Sequence, residues 1–130
     1  MKKRVLLGMA SLLLSVSLLM AQEIPAGVIT AFKRGSSQEL SKYMGDKVNL
    51  VLQGSSANVD KKKATAMMQE FFTENKVNAF DVNHQGKRDE SSFVIGTLTT
   101  TKGKFCVNCF LKKVQTQYLI HQIRIDKINE

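Results

Sequence analysis

The stretch Phe93-Val-Ile-Gly-Thr-Leu-Thr-Thr-Thr-Lys-Gly-Lys-Phe-Cys-Val-Asn-Cys-Phe-Leu-Lys-Lys-Val-Gln-Thr-Gln-Tyr-Leu-Ile-His-Gln-Ile-Arg-Ile-Asp126 decides the fold. Apolar residues alternate through three runs, Phe93–Thr101, Phe105–Val114 and Tyr118–Ile128, and a period of two buries one face of an extended strand. The runs are separated by Lys102-Gly103 and Gln115-Thr116-Gln117, connections short enough to join antiparallel neighbours. A two-residue turn at Lys102-Gly103 sets Thr101 against Lys104, Leu98 against Val107, Gly96 against Cys109 and Val94 against Leu111. A three-residue loop at 115–117 then sets Leu111 beside His121, Cys109 beside Ile123 and Val107 beside Ile125. A two-residue loop would instead bring Gln122 or Arg124 against those apolar partners. One face thus collects Val94, Leu98, Val107, Leu111, Leu119, Ile123 and Ile125. The other mixes Phe93, Ile95, Phe110 and Ile120 with Thr97, Asn108, Gln122, Arg124 and Asp126, a composition that suits solvent, a dimer contact or the wall of a polar pocket.

Upstream the period lengthens. Ala64, Met67, Met68, Phe71 and Phe72 recur at helical spacing, with Asp60 as the N-cap, and this Met/Phe helix is expected to cover the apolar face. Pro25 fits the first residue of an earlier helix carrying Val28, Ile29 and Phe32, which Gly35 stops. Ser36 and Glu39 have capping-box spacing for a short second helix bearing Leu40, Tyr43 and Met44, closed by Gly45. Val48, Leu50 and Leu52 alternate as a strand, Gly54–Asn58 reads as a loop, and Val77–Gln85 alternates loosely before a polar turn at Gly86–Glu90. Three helices followed by strands, about five in all, mean an α+β domain.

The N-terminus reads as an address. Lys2, Lys3 and Arg4 precede an uncharged, Leu-rich run from Val5 to Met20, and polarity returns at Gln22 and Glu23 after Ala21. That is the order of a signal peptide over residues 1–21, exporting a single domain at 22–130 to the periplasm or medium. An uncleaved anchor is the alternative; once cleaved, the chain has no stable membrane insertion. Cleavage takes three basic residues with it, so a net charge of +8 becomes +5. Only Lys61-Lys62-Lys63 forms a basic triplet in the remainder, and aromatics are sparse around it, so nucleic acid is not an expected partner.

Motifs for chemistry are few. Cys106 and Cys109 form C-x-x-C, which elsewhere marks a redox pair or half a zinc site. Here it lies within a strand, where residues three apart point to opposite faces with Cα atoms ~10 Å apart, beyond the ~7 Å a disulfide spans. Two unlinked thiols are expected. With only His84 and His121 besides, neither a metal site nor a cofactor is expected. His121 falls on the apolar face, as a hydrogen-bonded core histidine or a base. Asn108, Gln122, Arg124 and Asp126 become neighbours on the mixed face and form the candidate binding or interaction surface. Arg124 can hold an anion or pair with Asp126. No catalytic residue is assigned.

Ile24-Pro-Ala-Gly-Val-Ile-Thr-Ala-Phe-Lys33, Asn83-His-Gln-Gly-Lys-Arg-Asp-Glu-Ser-Ser92 and Ile120-His-Gln-Ile-Arg-Ile-Asp126 resemble a family of small secreted bacterial proteins of unknown function. The element order resembles the nuclear transport factor 2-like, or cystatin-like, superfamily. The resemblance implies a cone of three helices on a curved antiparallel sheet. That superfamily contains isomerases and dehydratases with pocket Asp or His groups beside many non-catalytic binders, and fold alone does not choose between them. The expected function is a non-enzymatic binding or interaction module, with a homodimer through the mixed face or a small-molecule ligand as its partner. The alternative is a small-molecule isomerase or lyase using His121 or Asp126 as the proton shuttle within the cone.

Overall fold

The computed structural model describes residues 25–129; the leader read at 1–21 lies outside them. Among the described residues the chain runs α1 (Ala26–Arg34), α2 (Ser37–Ser41), β1 (Met44–Leu52), β2 (Ser55–Asp60), α3 (Lys61–Glu74), β3 (Val77–Arg88), β4 (Ser91–Thr100), β5 (Gly103–Val114) and β6 (Gln117–Lys127). The six strands form one curved sheet in the order β2-β1-β6-β5-β4-β3. This is α+β as expected, with six strands where about five were read.

The extra strand is β2. Its Ser-Ser-Ala-Asn-Val-Asp sequence has no alternating apolar signal, so it read as a loop, yet Ser55 to Asp60 pair with Leu52 to Lys47 of β1. Gln53 and Gly54 both have positive φ (51° and 87°), the backbone of a tight primed hairpin turn. The sheet is also not wholly antiparallel. β1 lies parallel to β6, with Leu50 opposite Ile123 and Leu52 opposite Ile125. α3 and the β3–β5 meander separate the two strands in sequence, and short-loop reasoning cannot see a pairing that far apart.

Two registers need correction. The β4–β5 turn is Thr101-Lys102, one residue earlier than read, so Leu98 faces Phe105, Gly96 faces Val107 and Val94 faces Cys109. Thr100 fixes it, its hydroxyl donating to the Gly103 carbonyl (2.9 Å) and accepting from the Lys102 amide (3.1 Å). The slip is by two residues, so every side chain keeps its face. The β5–β6 turn has two residues, Gln115-Thr116, with Val114 opposite Gln117 and Leu111 opposite Ile120. A bulge at His121 then restores Cys109–Ile123 and Val107–Ile125 as read. His121 is therefore exposed rather than on the apolar face, Ile120 and Tyr118 are buried, and Leu119 is only half-buried.

The core lies between the concave face and the helices. Val94, Leu98, Val107, Leu111, Ile123 and Ile125 are wholly buried, as are Val28, Phe32, Leu40 and Met68 above them. Phe71 on α3 meets Phe105 edge-on at 5.2 Å, and Phe32 on α1 stacks at 5.1 Å on Phe80 of β3. The Met/Phe helix thus covers the apolar side as expected. Its Asp60 cap accepts from the Lys63 amide at 2.8 Å. Ser36 caps α2 through the Glu39 amide, whereas the Glu39 carboxylate turns away to Arg34 (3.1 Å). Pro25 sits at the N-cap of α1, one residue before the position read, and Gly45 lies inside β1 rather than closing α2.

Candidate functional site

Strand alternation puts Asn108 of β5 and Gln122, Arg124 and Asp126 of β6 on the convex face, away from the helices. Register aligns Asn108 with Arg124, Cys106 with Asp126 and Phe110 with Gln122, so all four expected residues lie on two adjacent strands. Their polar groups are already engaged. Arg124 Nε donates to Asp126 Oδ2 at 2.9 Å, and Gln122 donates to Asn49 Oδ1 of β1 at 3.0 Å. Asn108 donates to Cys106 Sγ at 3.7 Å, and Thr97 donates to Asn83 Oδ1 at 2.9 Å. Arg124 therefore meets its own strand's carboxylate, with 55% and 39% of the two side chains exposed, a pairing worth about 0–1 kcal/mol.

Apolar side chains flank this polar band. Phe93 and Phe110 are direct cross-strand partners, Ile95 lies two residues along, and all three are half-buried. The Phe93 ring crosses to β3, where a Cβ on Gly86 would approach it to 2.9 Å, so glycine there leaves room for the aromatic. The His84 ring stands 5.3 Å from Phe93.

The two thiols are free and point to opposite faces, Cys106 half-buried on the convex side and Cys109 sealed in the core. Burial pushes the Cys109 thiol up to about 12, leaving it protonated at neutral pH. Desolvation, then the Lys112 ammonium, holds His121 below its usual pKa. Neither His121 nor Asp126 lies under the helices, so neither can be the proton shuttle within the cone that the sequence left open. Among the described residues no cluster of His, Cys, Asp and Glu could hold a metal.

Sequence reasoning missed a cavity of about 370 Å³ at the start of α1, lined by Pro25, Ala26, Lys42, Tyr43, Thr116, Gln117, Tyr118 and Leu119. Three segments meet there: the first turn of α1, the α2–β1 junction and the β5–β6 turn. The Ile120 amide donates to the Tyr43 carbonyl at 2.7 Å and ties the last two together. Tyr43 lies across Gly27 so closely that a Cβ on residue 27 would overlap its hydroxyl. The one sequence signal was Pro25-Ala26-Gly27 opening a helix with no acidic residue in its first turn.

A family model described as a domain of unknown function (DUF4783) matches residues 25–126. Among solved structures, a DUF4783 family protein from Bacteroides ovatus is 87% identical, with 84% of this chain and 99% of that one covered and a TM-score of 0.82. A second, from Bacteroides uniformis, is 61% identical over 82% of this chain and 99% of that one, with a TM-score of 0.80. A nuclear transport factor 2-like protein of unknown function from Silicibacter pomeroyi shares the fold at 12% identity, with 88% and 96% covered and a TM-score of 0.59. No curated protein matches the chain.

Proposed function

The chain belongs to the DUF4783 family, a domain of unknown function with nuclear transport factor 2-like neighbours, and from that premise we propose that it is an exported, non-enzymatic interaction module pairing with a second copy through its convex face. One observation carries this reading: the convex face presents an exposed charge pair of both signs, Arg124 and Asp126, among half-buried apolar side chains. Arg124 and Asp126 lie two residues apart on an open strand surface, and a two-fold axis passing between them would set each charge of one copy against its opposite in the other. The half-buried Phe93, Ile95 and Phe110 supply the apolar part of such a contact, and aromatics are favoured in interface cores. Export rests on the basic head and apolar run of residues 2–20, with the leader removed after Ala21 and the domain released to the periplasm or medium.

Sedimentation equilibrium of residues 22–130 tests the pairing. A dimer mass is expected for the wild type. Phe110→Arg should give a monomer that keeps the wild-type circular dichroism spectrum, with a urea midpoint that no longer depends on protein concentration. The reading fails if the wild type is a monomer throughout, or if Phe110→Arg and the charge reversal Arg124→Asp leave a dimer intact. Intact mass of the protein recovered from a fractionated host, beginning at Gln22, is the expected result for export.

A further inference from the structure

We propose that the open edge of β2 accepts an extended acidic peptide as an added strand. The edge is separate from the convex face of β5 and β6 and does not depend on how copies pair. β2 ends the sheet and pairs on one side only, with β1. Its hairpin has a two-residue turn, so the closing pair, Leu52 and Ser55, exchanges both hydrogen bonds and the ladder alternates from there. Ala57 and Val59 bond inward to Leu50 and Val48. Ser56 and Asn58 fall in the intervening pairs and turn their backbone N–H and C=O away from β1, where no acceptor or donor meets them among the described residues.

The two edges of the sheet are built differently. β3, at the far edge, breaks its register between Val77 and Ala79 and between Val82 and His84, and ends in Lys87-Arg88. Bulges and basic side chains are devices that keep a strand edge from pairing further. β2 has neither, nor a proline, and its six residues keep unbroken register with β1. Its two faces also suit a neighbour of alternating pattern. Half-buried Ala57 and Val59 lie on the helix side, opposite the buried Leu50 and Val48, and exposed Ser56 and Asn58 lie on the convex side. The backbone groups of such an edge hold an extended chain, and pockets for its alternate side chains select it.

Charge selects the partner. Lys61, Lys62 and Lys63 follow β2 directly, all three are exposed, and none of their ammonium groups pairs with a carboxylate among the described residues. Asp60, the one acidic residue of the strand, turns its carboxylate to the Lys63 amide at 2.8 Å. A strand laid antiparallel along β2, the better-bonded direction, brings its N-terminal end to these lysines. Aspartate or glutamate at that end meets positive charge. A second copy of β2 would bring only the neutral Gln53, Gly54 and Ser55 there.

The probe is an acetylated and amidated octapeptide, three glutamates followed by alternating valine and threonine, titrated into ¹⁵N-labelled residues 22–130. The expected result is a saturable shift of the Ser56 and Asn58 amides with slowed hydrogen exchange at both, while the Asn108 and Arg124 amides stay unmoved. The same peptide with its valine and threonine amides N-methylated should not bind, and lysines in place of the glutamates should weaken binding about tenfold. Asn58→Pro removes an outward N–H without touching a bond to β1, so the variant should fold and lose the peptide. Lys61→Glu combined with Lys62→Glu should reverse the preference, favouring the lysine peptide over the glutamate one. No saturable shift, equal binding of the N-methylated peptide, or retained binding in Asn58→Pro would overturn the proposal. Equal affinity for the glutamate and lysine peptides would overturn the acidic assignment. Shifts of Ser56 and Asn58 on raising the protein concentration alone would overturn it too, giving the edge to a second copy.

Discussion

Ile123 and Arg124 are chain neighbours on β6, yet one is wholly buried under the helices and the other has a side chain 55% exposed. The same contrast separates Cys109 from Cys106, and Gly96 under the Phe80 ring from Gly86 under that of Phe93. Concave positions hold the fold together by excluding water. Convex positions pair their polar groups with one another and leave the surface open. A single backbone period therefore divides each strand between stability and interaction, and substitutions one residue apart should differ in kind.

Thiol chemistry should show the widest gap. With a pKa of about 12, about one part in ten thousand of Cys109 is thiolate at pH 8, and it has no access to solvent. One thiol per native chain should react promptly with a disulfide reagent, Cys106→Ser should abolish that reaction, and the second should wait for unfolding. Two prompt thiols would break the comparison.

Ile123→Ala empties a sealed position and should cost about 2–5 kcal/mol by urea denaturation, whereas Arg124→Ala beside it should cost no more than about 1 kcal/mol. Comparable losses would mean the convex ion pair carries far more of the fold than its exposure implies. Gly96→Ala should come next. Its Cβ would lie 2.5 Å from the Phe80 ring and 2.7 Å from the Asp81 carbonyl oxygen, and overpacking of that kind costs about 1–3 kcal/mol. At Gly86 the obstacle is only the half-exposed Phe93 ring at 2.9 Å, which can swing toward solvent, so Gly86→Ala should cost less.

The smallest effect belongs to His121. Folding lowers its pKa below 6.5, so the unfolded chain takes up the proton first as pH falls. Stability from this residue is complete above about pH 6.5 and is lost progressively below it. His121→Gln should flatten the decline in thermal midpoint between pH 7 and pH 5. A steeper decline in the variant would mean the imidazolium is stabilised in the fold.

Much of the architecture was legible because the inner strands alternate strongly. Leu98, Val107, Ile123 and Ile125 carry enough apolar contrast to set their facing even where the turn was misplaced by one residue. β2 was not legible, since Ser55–Asp60 owes its strand to hydrogen bonds with β1 rather than to side chains of its own. Nor was the bulge at His121, where a two-residue turn and one extra residue together mimic the three-residue loop that the pattern favoured. Asn108, Gln122, Arg124 and Asp126 could be found because residues on adjacent strands follow from register. The α1 cavity could not, because Ala26, Lys42 and Tyr118 have no periodic relation to one another.

By itself the sequence determined the α+β class, the caps at Ser36 and Asp60, the concave facing of Val94, Leu98, Val107, Leu111, Ile123 and Ile125, and the opposed thiols. All of these follow from the few residues around each position, through helical or strand period and local hydrogen bonding. Tertiary structure alone decided the parallel β1–β6 pairing, the exposure of His121 and the meeting of α1, the α2–β1 junction and the β5–β6 turn. Those depend on which distant segments close against each other, and that is settled by packing the whole core at once rather than by any local pattern.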